Sequence, residues 1–279
     1  MHKKVIAIGV FAALAAGMAH ATVLQNGVLA VGVDDGGAII DQTAEFGLAY
    51  DPSGHGDYSK DILWPGTAFG FASIGVGGQF DTAGGEQGGT NPFNFSTTAS
   101  SATSLSQSGN YNGLDLTQNV SLSGNTVHFS ITFSNHSGAN ISNVAYATGS
   151  DPDPDYYSGG EFDSFNSRTG NGSGNAKGVL SGITLSLADV SGGGLISSTY
   201  PWTVDPYALS TNPASTWGNG DQLLALGYNL GTLADGQSIT LAYDYSVAAV
   251  PEPETWALMG LGLVGLLAGS KRRLSKKLA

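Results

Sequence analysis

Residues 126–134 constrain this chain more than any other run. Val127, Phe129, Ile131 and Phe133 fall at every second position, with His128, Ser130 and Thr132 between them. Successive side chains of a strand point to opposite faces, so the run reads as a strand with one apolar and one polar face. Leu114, Leu116, Val120 and Leu122 give a preceding strand the same apolar face. Ser123-Gly124-Asn125 joins the two as a hairpin turn, because Gly and Asn accept positive φ.

The same alternation recurs. Residues 141–148 and 183–187 read as strands, and in 238–247 Ile239, Leu241, Tyr243, Tyr245 and Val247 share a face. Segments 27–33, 45–50, 67–76 and 93–101 are less regular strand candidates. No long amphipathic helix is visible between residues 22 and 250. Glycine is abundant, 42 of 279 residues, which suits a protein of many turns. The expectation is an all-β, antiparallel β-sandwich body. Residues 119–155, a strand, a turn and a strand carrying Val144-Ala145-Tyr146 into Asp151-Pro152-Asp153-Pro154-Asp155, resemble the β-supersandwich modules of bacterial surface proteins. That resemblance implies a fold and no activity.

Both ends of the chain differ from the body. Lys3 and Lys4, an apolar run over 5–18, and Ala19-His20-Ala21 form the three parts of a cleavable signal peptide, residues 1–21. At the other end Val250-Pro251-Glu252-Pro253 leads into an uncharged run, 256–269, followed by Lys271, Arg272 and Arg273. The prolines fix φ and remove two backbone donors, which makes a stiff, extended segment. As a helix, residues 255–270 would span about 24 Å against a hydrocarbon core of about 30 Å. Trp256 suits one interface and the basic tail the cytoplasmic one. A transmembrane helix is the expectation, and a buried C-terminal helix of a soluble protein is the competing reading.

The order of these parts resembles the PEP-CTERM sorting signal of Gram-negative bacteria, carried here by residues 250–279, about 30 of the 279. Such tails also go by the name ice-binding-protein C-terminal domain, a label that implies no ice binding. Glu254 stands where a small Ser is usual, and residues 274–279 lengthen the tail. The resemblance implies that Pro251, Glu252 and Pro253 are recognised and cut by exosortase, a membrane protease/transpeptidase. It also implies a transient inner-membrane anchor and delivery to the cell surface or exopolysaccharide matrix. Signal peptidase is the partner expected at Ala19 and Ala21.

Seven of the ten Lys and Arg residues lie in those end segments. Lys60, Arg168 and Lys177 alone face twenty acids in residues 22–250, a net charge near −17. Phosphate binding needs Lys and Arg, so a nucleic-acid partner is excluded. The chain has no cysteine and therefore no disulfide or thiol chemistry.

Asp151, Asp153 and Asp155, with Glu161 and Asp163 close behind, form the densest acidic cluster. Oxygen ligands on a turn-rich loop suit Ca²⁺, although the spacing matches no EF-hand and a solvated loop is the stronger reading. Asp34-Asp35-Gly36-Gly37 reads as a β-turn, and Asp51 to Asp57, around His55, as a glycine-rich loop. His128 and His136 read as surface residues. No G-x-S-x-G, H-E-x-x-H or P-loop is present. Trp64, Tyr156, Tyr157, Trp202 and Trp217 are candidates for stacking on sugar rings, with core packing the commoner fate of Trp. From this the body, residues 22–249, is expected to be a non-enzymatic structural or binding module without a resident cofactor. The alternatives are a secreted carbohydrate-active enzyme and a Ca²⁺-dependent adhesin.

Overall fold

The computed structural model describes residues 22–85, 90–211 and 215–249. The signal peptide with Ala19 and Ala21, the motif Pro251-Glu252-Pro253 and the expected helix 255–270 lie outside the described residues. Among the described residues no helix is long and apolar enough to cross a membrane.

The chain is all-β and every strand pairing is antiparallel. It opens with β1 (Thr22–Gln25), β2 (Leu29–Val33) and β3 (Leu48–Tyr50), which form a three-stranded sheet. Then come β4 (Gly70–Val76), β5 (Gln79–Gly84), β6 (Ser96–Ser100), β7 (Ser104–Tyr111), β8 (Leu114–Ser123), β9 (Thr126–Asn135) and β10 (Ile141–Ser150). A one-turn helix, α1 (Tyr156–Gly159), precedes β11 (Ser164–Gly170), β12 (Ser173–Lys177), β13 (Ile183–Asp189) and β14 (Leu195–Thr199). The last elements are α2 (Pro206–Thr211), β15 (Gly218–Gly220), β16 (Leu223–Leu233) and β17 (Ser238–Ala249). Nine strands form one sheet in the order β15-β11-β12-β13-β17-β9-β8-β7-β6, and five form another in the order β14-β16-β10-β4-β5.

The hairpin expected from the sequence is β8–β9. All four apolar residues of β9 are buried, as are Leu114, Leu116, Val120 and Leu122 of β8. β17 pairs with β9 in register and buries Leu241, Tyr243, Tyr245 and Val247 beside them. Each such side chain removed from water is worth roughly 1.5–3 kcal/mol. Phe129 stacks on Tyr243 at 5.1 Å between ring centroids. The five-stranded sheet meets this face through Tyr146 of β10, which packs edge-on to Phe133 and hydrogen-bonds Tyr243 hydroxyl to hydroxyl at 2.9 Å. Both phenols are buried, and the mutual bond satisfies a polar atom each would otherwise strand.

The other face of the five-stranded sheet carries a smaller apolar cluster of Phe69, Phe71, Leu209, Leu223 and Ala225, closed by α2. Here α2 lies directly on β16. A Cβ at Gly227 would stand 2.3 Å from the backbone carbon of Leu209, so only glycine lets the helix approach so closely. β16 and β10 therefore run between two apolar layers.

Candidate active site

β10 is the middle strand of its sheet, and its last residue, Ser150, pairs with Gly70 on one side and Leu224 on the other. The ladder stops there because Pro152 and Pro154 remove the next alternate donors. The remaining amides are held: Asp151 N–H donates to the Phe69 carbonyl and Asp153 N–H to that of Ile62, each at 2.8 Å. The segment leaves the sheet at Ser150 and turns into α1 at Asp155, whose backbone is helical, and it buries all three aspartates, at 4%, 2% and 2% exposure.

These three carboxyl groups have different fates. Asp155 accepts the Leu180 N–H at 2.9 Å and the Ser181 N–H at 2.7 Å, tying down the turn before β13. Burial alone would raise its pKa, but these amides outweigh burial and hold it below the ordinary carboxylate value. Asp151 and Asp153 have no such donors, and Oδ1 of each is buried without a hydrogen-bond partner. The expected trio is therefore a pair plus a structural residue. Among the described residues no group of three or more His, Cys, Asp or Glu side chains is arranged to hold a metal ion.

A fourth acid completes the site. β11 and β15 pair at the edge of the nine-stranded sheet, with Ser164 opposite Gly220. One step further out, this register sets Asp163 opposite Asp221, just before β16 enters the other sheet. Asn219 Nδ2 donates to Asp163 Oδ2 at 3.2 Å, and Gln222 accepts from Ser198 Oγ, which anchors the turn. Asp221 is exposed and shares a hydrogen bond with the buried Asp151. Burial, then the charges of Asp153 and Asp221, then that bond push the Asp151 carboxyl up to about 9. Burial and the Asp221 charge push Asp153 up to about 8. Asp221 is raised by partial burial and by Asp163, while the proton donated by Asp151 favours its ionised form. At neutral pH Asp151 is therefore a buried, protonated carboxyl beside the exposed Asp221.

Aromatic rings border these acids. Tyr156, Tyr157 and Phe162 are 37%, 48% and 41% exposed and lie against one another, at 5.0 Å for the tyrosine pair and 5.5 Å for Tyr156–Phe162. Gly66 links them to the acids. Its backbone has φ +71°, and a Cβ placed there would stand 2.7 Å from the Phe162 ring and 3.4 Å from Asp153 Oδ2. Of the five stacking candidates, Tyr156 and Tyr157 border the site. Trp64 and Trp217 pack against the main core. Trp202 lies 4.8 Å from Phe69, with its indole N–H buried and unpaired. Asp163, Asp221 and Phe162 complete the arrangement; of these, only Asp163 is marked in the sequence, as a neighbour of the acidic run.

The other acidic motifs are loop ties. Asp51 accepts the Ser53, His55 and Asp57 N–H groups and the Ser53 hydroxyl, led by that hydroxyl these hold it well below the ordinary carboxylate range, and His55 is left exposed. Asp34 accepts the Ala38 N–H within its turn, and burial pushes it up to about 7. His128 and His136 pair with Asp244 and Asp115 on the surface.

The architecture is shared with a solved protein. The galactose mutarotase related enzyme of Lactobacillus acidophilus superposes with a TM-score of 0.51 over 84% of this chain and 99% of its own, at 10% identity. A candidate aldose 1-epimerase of Escherichia coli K12 gives a TM-score of 0.49 over 83% and 99%, at 13% identity. The class is thus an all-β domain with the fold of that mutarotase-related enzyme. Residues 249–273 match the PEP-CTERM protein-sorting motif, and the chain is a PEP-CTERM protein. The motif implies export, membrane-associated sorting in a Gram-negative bacterium and processing by exosortase. No curated protein matches the chain. The expectation of a non-enzymatic body is corrected here: it rested on missing sequence motifs, whereas the fold is one that a sugar-directed enzyme also uses.

Proposed function

We propose that this protein is an exported, PEP-CTERM-sorted carbohydrate-active enzyme. Its folded domain, residues 22–249, is released from the signal peptide after Ala21, held by the helix 255–270, and freed by exosortase at Pro251-Glu252-Pro253. Its substrate is a sugar of the cell surface or exopolysaccharide matrix. The reading rests on the Asp151–Asp221 pair, a buried, protonated carboxyl beside an exposed one. The fold likeness to the mutarotase-related enzyme of Lactobacillus acidophilus supports a sugar as the reactant.

The chemistry follows from the contact between the two carboxyls. Glycoside hydrolases separate their two carboxyls by about 5–5.5 Å or about 6.5–9.5 Å to flank a glycosidic bond. Carboxyls in direct hydrogen-bond contact are closer than either. A pair that shares one proton suits transfer at a single centre: Asp151 protonates the ring oxygen as its bond to the anomeric carbon breaks, Asp221 takes the proton of the anomeric hydroxyl as that oxygen becomes a carbonyl, and the reverse transfers close the ring on the other face. The test is polarimetry on free reducing sugars, alongside a reducing-end assay on glycans. Anomer interconversion that falls roughly 10²-fold or more in Asp151→Asn and Asp221→Asn supports the reading. Wild-type protein inert on every sugar, or variants as active as wild type, would overturn it.

A further inference from the structure

The site holds more carboxyl groups than its proton-sharing pair requires. Asp153 is 2% exposed, has an unpartnered Oδ1 and faces the charge of Asp221, and Asp163 stands across the strand register. Protein normally answers buried carboxyls with Arg, Lys or backbone amides. Here it does not. Among the described residues the only ion pairs are the two surface His–Asp contacts, and Arg168 spends its guanidinium on Gly170 and Asn171. Among the described residues no cation complements the site.

The structure narrows what could complement it. No set of three carboxyl or imidazole groups is arranged around one point for a metal among the described residues, which disfavours a divalent ion. A primary ammonium suits better, since it brings three N–H donors and no need for a coordination shell. Beside the acids stand the exposed rings of Tyr156, Tyr157 and Phe162, with Phe162 and Asp153 meeting at Gly66. Aromatic faces accept both the apolar face of a pyranose and a cation within about 6 Å of the ring. A body of net charge near −17 repels uronic acids and sulfated glycans.

We propose that the site formed by Asp151, Asp153, Asp163 and Asp221 beside Tyr156, Tyr157 and Phe162 selects an amino sugar with a free ammonium group, that is, a deacetylated hexosamine unit. This rests on the reading of the domain as carbohydrate-active and names its substrate class. The ammonium sits against the exposed Asp221 and Asp163, and the ring stacks on the tyrosines. N-acetylation removes the charge and two of the three donors, so acetylated sugars lose the interaction that defines the site.

The test is calorimetry on the full chain in detergent with four ligands: glucosamine oligomers, N-acetylglucosamine oligomers, cello-oligosaccharides and CaCl₂. Glucosamine oligomers are expected to bind roughly tenfold or more tighter than the other two sugars, a gap of about 1.4 kcal/mol. Asp163→Asn, at an exposed position that leaves the fold intact, is expected to narrow that gap. Asp221→Asn is expected to abolish it. Tyr157→Ala is expected to weaken all sugars alike. Equal binding of charged and neutral oligomers would overturn the amino-sugar assignment and leave the carbohydrate reading standing. Binding of no sugar at all would overturn both. Ca²⁺ that displaces glucosamine oligomers would reassign the acids to a metal.

Discussion

Asp61 and Asp153 are both buried, and they are used in opposite ways. Asp61 accepts four backbone N–H groups, from Gly47 at 2.6 Å, Leu48 and Leu63 at 2.9 Å and Trp64 at 3.0 Å. Asp153 has an oxygen with no partner. Asp51, Asp61 and Asp155 staple loops in a protein that has no disulfide to do so. Asp151, Asp153 and Asp221 are left to one another. A fold of this kind spends most of its buried acids on its own backbone, so those it leaves unspent mark where something else binds.

The sharpest break of that contrast is Asp61→Ala. It strands four donors and should cost on the order of 3 kcal/mol or more, read as a fall in the urea midpoint. Asp153→Asn should do the reverse, since it removes a carboxyl that is costly to ionise where it lies. If Asp61→Ala proved neutral, the division between stapling and unspent acids would fail.

The pH dependence of stability separates the two groups by sign. Asp151 and Asp153 have raised pKa values in the folded state, about 9 and 8, against about 3.9 unfolded. The native state then holds protons that the unfolded chain has released. Their contribution is full below about pH 4 and is lost as pH rises toward 8–9. Asp51 is lowered by its hydrogen bonds, so its contribution is present above about pH 4 and lost as pH falls further. Thermal melts should therefore show Asp153→Asn flattening the alkaline limb and Asp51→Asn the acid limb. Each kcal/mol regained moves the melting temperature of a domain this size by roughly 2–4 °C.

The smallest expected effect on stability is at the rim. Tyr157→Ala, at a half-exposed ring, should change the urea midpoint by no more than about 0.5 kcal/mol while weakening sugar binding severalfold. A large loss of stability would show the rings to be core rather than platform.

The sequence displays one part of this fold clearly and hides another, for a physical reason. β8, β9 and β17 have one face in the core and one in water, so their period of two is visible. β16 begins Leu223-Leu224-Ala225-Leu226 and is buried on both faces, with Leu224 and Leu226 in the main core and Leu223 and Ala225 in the cluster under α2. Two apolar layers erase the alternation, so this strand carries no periodic signature. β15 is Gly218-Asn219-Gly220 and has no apolar residue to announce it. The acidic run after β10 is conspicuous along the chain. Asp221 lies seventy residues from Asp151 and is brought to it by the pairing of β10 with β16, where Ser150 stands opposite Leu224.

The central claim is that Asp151 and Asp153 are kept protonated at neutral pH in a site left open for a ligand. The most direct measurement is a ¹³C NMR titration of the aspartate side-chain carboxyls of the purified full chain. The account predicts midpoints near 9 for Asp151 and near 8 for Asp153, with Asp51 still ionised below the ordinary carboxylate range. Midpoints near 3.9 for both Asp151 and Asp153, as for aspartates free in water, would contradict it.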